Sequence, residues 1–297
     1  MKDHPKIRLF NVINGIIFIL ISIIMLIPIY KVLVDSFDLS SAYGMRLWPK
    51  QFGLAGYESV LSNPTLYRPL LISVGTTLAG TFLGLALSTL GAYVLIQWDM
   101  PGRTFFANFL LFTMIFNGGM IPTYLVMKNL GLTNNLLGVV LLPAINIYNL
   151  VLMRNFFEGI PQSLFEAATL DGCTPMATFI KVVLPLSKAA LASIGLMFAV
   201  AYWNDYTNYK LYITDSTLYN FQMKLRSIMM GSDLPQANGG ATENTVKSAA
   251  IIIAILPFMI LYPFLQKYFV KGCRGHRSSR GFPAPAGLPS FSPPTLG

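Results

Sequence analysis

The chain has 297 residues, of which 54% are hydrophobic and only 11% charged. Soluble domains carry about 25% charged residues, so an ordinary water-soluble surface is excluded. The net charge of +9 would suit a polyanion partner, but the charges fall between long apolar blocks, which points to basic residues orienting a membrane protein and away from nucleic acid.

A spanning helix needs about 20 mostly apolar residues. The sequence predicts six, at 11–33, 69–96, 104–127, 136–153, 186–203 and 248–266. The blocks are continuous, as in helices, and do not alternate as barrel strands do. Residues 1–10 carry Lys2, Lys6 and Arg8 and are expected in the cytosol. The apolar run from Val12 to Tyr30 is too long for a signal-peptide core and lacks a small-residue cleavage site, so it is expected to be a retained span. The second span holds Gly80-x-x-x-Gly84. That spacing suits close helix–helix contact, although glycine is common in membrane helices anyway. Pro28, Pro122, Pro143 and Pro257 lie near or within spans, where neighbouring helices satisfy freed carbonyls.

With both termini in the cytosol, the cytosolic segments hold 12 of the 21 basic residues, a modest bias of the expected sign. Two long external segments follow, 31–68 and 204–247. Cys173 and Cys273 have no metal-ligand spacing, and His4 and His276 lie outside the apolar blocks. No metal site is expected. From Gly272 to Gly297 the chain turns to Gly, Pro, Ser and Arg without acids, and this stretch is expected to be a disordered tail.

The most informative segment joins spans four and five, at 158–185. Ser163 can cap a short helix, with Glu166 three residues later as capping-box partner. Gly172 supplies a conformation that ends that helix. A second amphipathic helix follows, and Pro185 marks entry to the next span. Small Ala167 and Ala168 allow another protein to approach closely.

This segment resembles the EAA loop of binding-protein-dependent ABC importer permeases. Glu166-Ala167-Ala168, three residues, Gly172, nine residues, Val182, one residue and Leu184-Pro185 match that pattern throughout. Gly118-Gly119-Met120-Ile121-Pro122-Thr123-Tyr124, the run Leu152 to Phe157, and Ala201-Tyr202-Trp203-Asn204 are similar to the carbohydrate-uptake, maltose-permease-like branch, in particular members serving complex saccharides, alginate-type importers among them. The resemblance covers nearly the whole chain to Lys271. It implies an all-α membrane protein: six transmembrane helices in the type I ABC importer permease fold over 11–271, with a cytosolic helix–turn–helix coupling loop. It implies that Glu166, Ala167, Ala168 and Gly172 form the docking helix and its turn, while Asp171, Leu184 and Pro185 hold the loop's shape. It also implies a bacterial inner-membrane location and three kinds of partner: a second, homologous permease subunit, two ATPase subunits, and an extracytoplasmic saccharide-binding protein. The chain has no G-x-x-x-x-G-K-[ST] loop. It is therefore not expected to be an enzyme or to bind a cofactor; ATP and Mg would sit on the partner ATPase.

Polar groups in lipid usually face a bundle interior or a watery path. Asn117, Asn146 and Asn149 are candidates, with Tyr202, Trp203, Asn204 and Asp205 at the outer end of span five. Aromatic faces stack on sugars, and Asn and Asp bond hydroxyls. An interfacial aromatic belt would use the same residue types. Lys210, Lys224 and Arg226 lie in the external segment, either on the path of a charged saccharide or on a solvated face. Two other classes are disfavoured. A secondary transporter would show an internal repeat and intramembrane ionisable groups. A membrane enzyme would show HExxH, G-x-S-x-G or clustered acids and histidines.

Overall fold

Residues Pro5–Phe37 form one 33-residue helix, α1, starting six residues before the predicted span. The computed structural model describes residues 5–275, apart from 42, 43, 45, 98, 99, 117 and 236–238. Val12–Phe37 is long and apolar enough to cross a membrane, and so is Pro64–Ile96. Phe18, Ile24 and Met25 of α1 stand exposed, an arrangement that lipid or a second protein makes favourable and water does not. After a short helix, α2 (Ala55–Leu61), a turn at Pro64–Leu66 leads into α3 (Tyr67–Ile96).

The third predicted span, 104–127, is not one rod. It divides into α4 (Arg103–Ile115) and α5 (Met120–Asn129). Gly119 between them is the N-cap of α5 and has φ +88, a conformation open to glycine and strained for other residues. The fourth span becomes α6 (Leu136–Ala144) and α7 (Ile147–Glu158), bent by 43°. Pro143 cannot donate a helical hydrogen bond. Asn146 then restarts the helix as its N-cap, accepting from the Asn149 N–H at 3.0 Å.

The segment predicted to couple comprises α8 (Gln162–Leu170), α9 (Pro175–Thr178), a π-helical turn at Phe179–Val183, and α10 (Leu184–Leu186). Span five is α11 (Lys188–Trp203), which leaves the preceding helical stretch at 82°. Next follow α12 (Thr207–Tyr212) and α13 (Phe221–Met229), in the segment predicted to be external. The sixth predicted span lies inside α14 (Glu243–Gly275). This helix carries through 272–275, which composition had assigned to the tail, because no helix breaker intervenes between Lys271 and Gly275 other than single glycines. The rest of the predicted tail, 276–297, lies outside the described residues.

The glycines of α3 act within the chain. A Cβ at Gly80 would meet the Tyr202 ring at 2.3 Å, and one at Gly84 would meet Phe198 at 2.6 Å. The Gly80-x-x-x-Gly84 face is therefore the seat of α11. Tyr202 hydroxyl donates to the Val140 carbonyl at 2.6 Å, so α3, α6 and α11 meet at one buried ring.

Asp38 ties together the first segment predicted to be external. Its carboxylate accepts from the Ser40 hydroxyl at 2.9 Å and the Gln51 N–H at 3.2 Å, and Arg46 lies at 3.7 Å. The Asp38 carbonyl accepts from the Thr245 hydroxyl at 2.6 Å, which fixes this segment to the start of α14. Burial pushes the Asp38 carboxyl up, but hydrogen bonds from Ser40, Gln51 and Lys50 outweigh it and hold the group below its ordinary value. A depressed carboxylate contributes stability above its unfolded value, and that contribution is lost as pH falls through the folded value. The purified protein should therefore lose thermal stability on acidification below about pH 4, and Asp38→Asn should remove part of that dependence. Melting curves across this pH range check it.

Candidate functional site

One end of the bundle is organised by the segment between α7 and α11. Its first helix starts at Gln162 with Pro161 as N-cap and no side-chain cap. Ser163 thus sits inside the first turn and does not cap it, which corrects the capping-box expectation. The preceding proline already fixes the chain's entry into the helix. At the other end, Asp171 is the C-cap and Gly172 has φ +72. The Gly172 N–H donates to Thr169 at 3.0 Å and the Cys173 N–H to Ala168 at 2.9 Å. These are the two bonds of a Schellman ending.

The second arm begins with Thr174 as N-cap, accepting from the Ala177 N–H at 3.3 Å, and Pro175 at the first helical position. The Leu184 N–H then donates to Phe179, one residue farther back than in an α-helix. This π turn precedes Pro185, which has no N–H to give. Leu184 and Pro185 therefore shape the arm just before the 82° turn at Ser187.

The hairpin is fastened to the bundle. Phe179 and Val183 are buried with Tyr93, Ile96, Met153 and Phe157 from α3 and α7. Tyr93 and Phe179 rings lie 4.8 Å apart, and the Tyr93 hydroxyl donates to the Pro175 carbonyl at 2.7 Å. Ala168 faces inward and is buried, whereas Glu166, Ala167, Asp171 and Gly172 are exposed. Leu170 is 89% exposed, with Met176 and Ile180 above half. Apolar side chains left uncovered on an anchored hairpin mark a contact surface. Tyr93→Phe should loosen the hairpin by about 1 kcal/mol, read as faster amide hydrogen exchange across 175–183.

Beside α8 lies an open cavity of about 930 Å³, lined by Gln97, Arg103, Phe157, Glu158, Phe165, Glu166 and Leu170 among others. Glu158 accepts from Arg154 at 2.9 Å and stands 3.4 Å from Arg103. Arg103 also donates to the Leu95 carbonyl at 2.7 Å. The end of α3, the start of α4 and the end of α7 are thereby joined next to the hairpin. The loop pattern carries no sign of this charged cluster, because its members lie 4 and 55 residues apart and meet only in the fold.

The residues proposed for a substrate path do not form one group. Asn117 lies outside the described residues. Asn149 is buried, and Asn146 serves as the cap already described. Tyr202 and Trp203 are 3% and 4% exposed. Trp203 Nε1 donates to the Ala254 carbonyl at 3.2 Å, so both rings are engaged in internal packing and present no face to a sugar. This corrects the sequence expectation: a Tyr-Trp pair at a span end reads alike whether it faces the core or a ligand. Asn204 is exposed. Asp205 is directed to Asn208, accepting from its N–H at 3.0 Å and its Nδ2 at 2.9 Å.

Comparison with known proteins agrees with this architecture. The family described as "Binding-protein-dependent transport system inner membrane component" matches residues 104–275. The polygalacturonan/rhamnogalacturonan transport system permease protein YtcP of Bacillus subtilis (strain 168) is 39% identical over 90% of this chain and 97% of that protein. The trehalose/maltose transport system permease protein MalG of Thermococcus litoralis is 29% identical, over 92% of this chain and 97% of the relative. Among solved structures, a chain of a bacterial ABC transporter involved in the import of the acidic polysaccharide alginate superposes with a TM-score of 0.83. It is 30% identical, and the match covers 91% of this chain and 99% of the other.

Proposed function

The chain belongs to the binding-protein-dependent transport system inner membrane component family, and we propose that it is the permease subunit through which an ATP-driven importer moves an oligosaccharide. In this reading six spans cross the bacterial inner membrane, with both termini in the cytosol. A second, homologous permease subunit completes the path. An extracytoplasmic binding protein delivers the saccharide, and two separate ATPase subunits hold ATP and Mg. This chain holds no nucleotide and performs no hydrolysis.

The observation that carries the reading is the exposed Asp171–Gly172 tip on a hairpin whose root is buried. Motion imposed on such a tip by an ATPase passes to α3, α7 and α11 through Phe179, Val183 and Tyr93. The spans then switch between outward and inward openings, a two-state element biased by nucleotide and by loaded binding protein. Glu166 and Ala167 offer a polar and a small contact on the exposed side of α8, and Leu170 an apolar one. Relatives named for polygalacturonan/rhamnogalacturonan and for trehalose/maltose transport support the substrate class.

The test is reconstitution. The chain, its partner permease, the ATPases and the binding protein are placed in vesicles, and oligosaccharide uptake is measured with and without ATP. Uptake that requires ATP and every component is expected. Uptake by this chain alone, or without ATP, would overturn the proposal.

A further inference from the structure

We propose that the outer ends of α11 and α13 form a saccharide site that reads a carboxylate, with Arg226 taking the carboxylate of a uronate unit and Asn204 and Gln222 taking neighbouring hydroxyls. The inference rests on the permease reading above and names the substrate class of that permease as acidic.

The site is built by the fold. Asn220 caps α13, accepting from the Met223 N–H at 2.9 Å, while its Nδ2 donates to the Asp205 carbonyl at 2.7 Å. That pair of bonds pins the start of α13 against the outer end of α11. Gln222 and Arg226 are one turn apart on α13, on the same face. Gln222 Nε2 lies 3.5 Å from Asn204 Oδ1. At that length the bond is weak, and both amides keep hydrogen-bonding capacity for a hydroxyl placed between them.

Arg226 lies over the Tyr206 ring, its guanidinium carbon 5.0 Å from the centroid. This cation–π contact places the guanidinium beside the ring and leaves its N–H groups available to donate. Arg226 is exposed, and among the described residues it has no carboxylate partner. The nearby acids are committed elsewhere. Asp233 pairs with Lys224 at 3.0 Å, and Asp205 is held by Asn208. A flat cation with free donors, an aromatic ring and two amides within one patch is the donor set for a sugar acid. A carboxylate matches the guanidinium fork in a way that a neutral hydroxymethyl group does not.

The test uses the assembled permease–ATPase complex in detergent without binding protein, and measures equilibrium binding of trigalacturonate and of its neutral methyl ester. Wild type should prefer the acid by about tenfold. Arg226→Gln should abolish the preference and Arg226→Lys should keep part of it, while Lys210→Gln leaves it unchanged. Equal binding of acid and ester by wild type, a preference that survives Arg226→Gln, or binding of neither probe would overturn the inference. ATP-driven oligosaccharide uptake by the same complex in vesicles separates the two readings. Uptake that persists with any of those outcomes leaves the permease reading standing, and absence of uptake of every saccharide overturns both.

Discussion

Gly172→Ala should destabilise the isolated chain modestly and impair the assembled transporter a great deal. A Cβ at this position meets nothing within 4 Å inside the chain, so no internal clash opposes it. The cost within the chain is conformational. Gly172 has φ +72, and an L-residue in that region costs about 1–2 kcal/mol. The tip is nevertheless the part of the hairpin that an ATPase cleft would enclose, and there every added atom displaces the partner. A loss of about 1.4 kcal/mol in docking is a tenfold loss in affinity. Gly172→Ala should thus lower ATP-driven uptake by about tenfold or more, and Gly172→Asp should lower it further by adding a charge. Gly172→Asn separates the two causes, because asparagine tolerates the left-handed region but still carries a side chain. Its melting temperature should match wild type while its uptake falls with that of Gly172→Ala. Uptake at the wild-type rate in all three variants would sink the coupling role of this turn.

The helical hairpin of α8 to α10 was legible in the sequence because its requirements are local. A positive φ after the C-cap selects glycine at 172, and a chain that must stop and turn selects Pro175 and Pro185. Such demands leave their mark within a few residues of where they act. The break in the third predicted span was present as Gly118-Gly119, yet hydropathy alone runs straight through it, since glycine counts as apolar enough to sit in a membrane helix. What the sequence withheld was direction. Tyr202 and Trp203 look equally suited to a sugar, a headgroup belt or a helix interface, and only the position of α3 and α14 decides. The Arg103–Glu158–Arg154 cluster and the Asn204–Gln222–Arg226 patch were hidden for the same reason, as each draws members from separate helices.

Gly80→Val should be severely damaging to the bundle. Even alanine places its Cβ 2.3 Å from a carbon of the Tyr202 ring, a separation at which something must move. The ring has little freedom to do so. It is buried, and its hydroxyl is anchored on the Val140 carbonyl at 2.6 Å. Overpacking of a tight core costs about 1–3 kcal/mol, and a displaced ring would also give up a hydrogen bond worth about 1 kcal/mol. Gly80→Ala should therefore lower the melting temperature of the detergent-solubilised chain measurably, and Gly80→Val should prevent recovery of folded protein. Gly75 provides the control: a Cβ there meets nothing within 4 Å, so Gly75→Ala should melt as wild type does. The contact itself can be isolated by a double-mutant cycle. Gly80→Ala should cost less in a Tyr202→Leu background, because the smaller side chain yields the space that the new methyl needs. If the glycine pair instead served contact between subunits, Gly80→Ala would leave the melting of the single chain unchanged and weaken assembly alone. The depth at which Tyr202 enters α3 is why the first of these results is expected, and why the outer end of α11 keeps Asn204, and not its aromatic neighbours, open to a ligand.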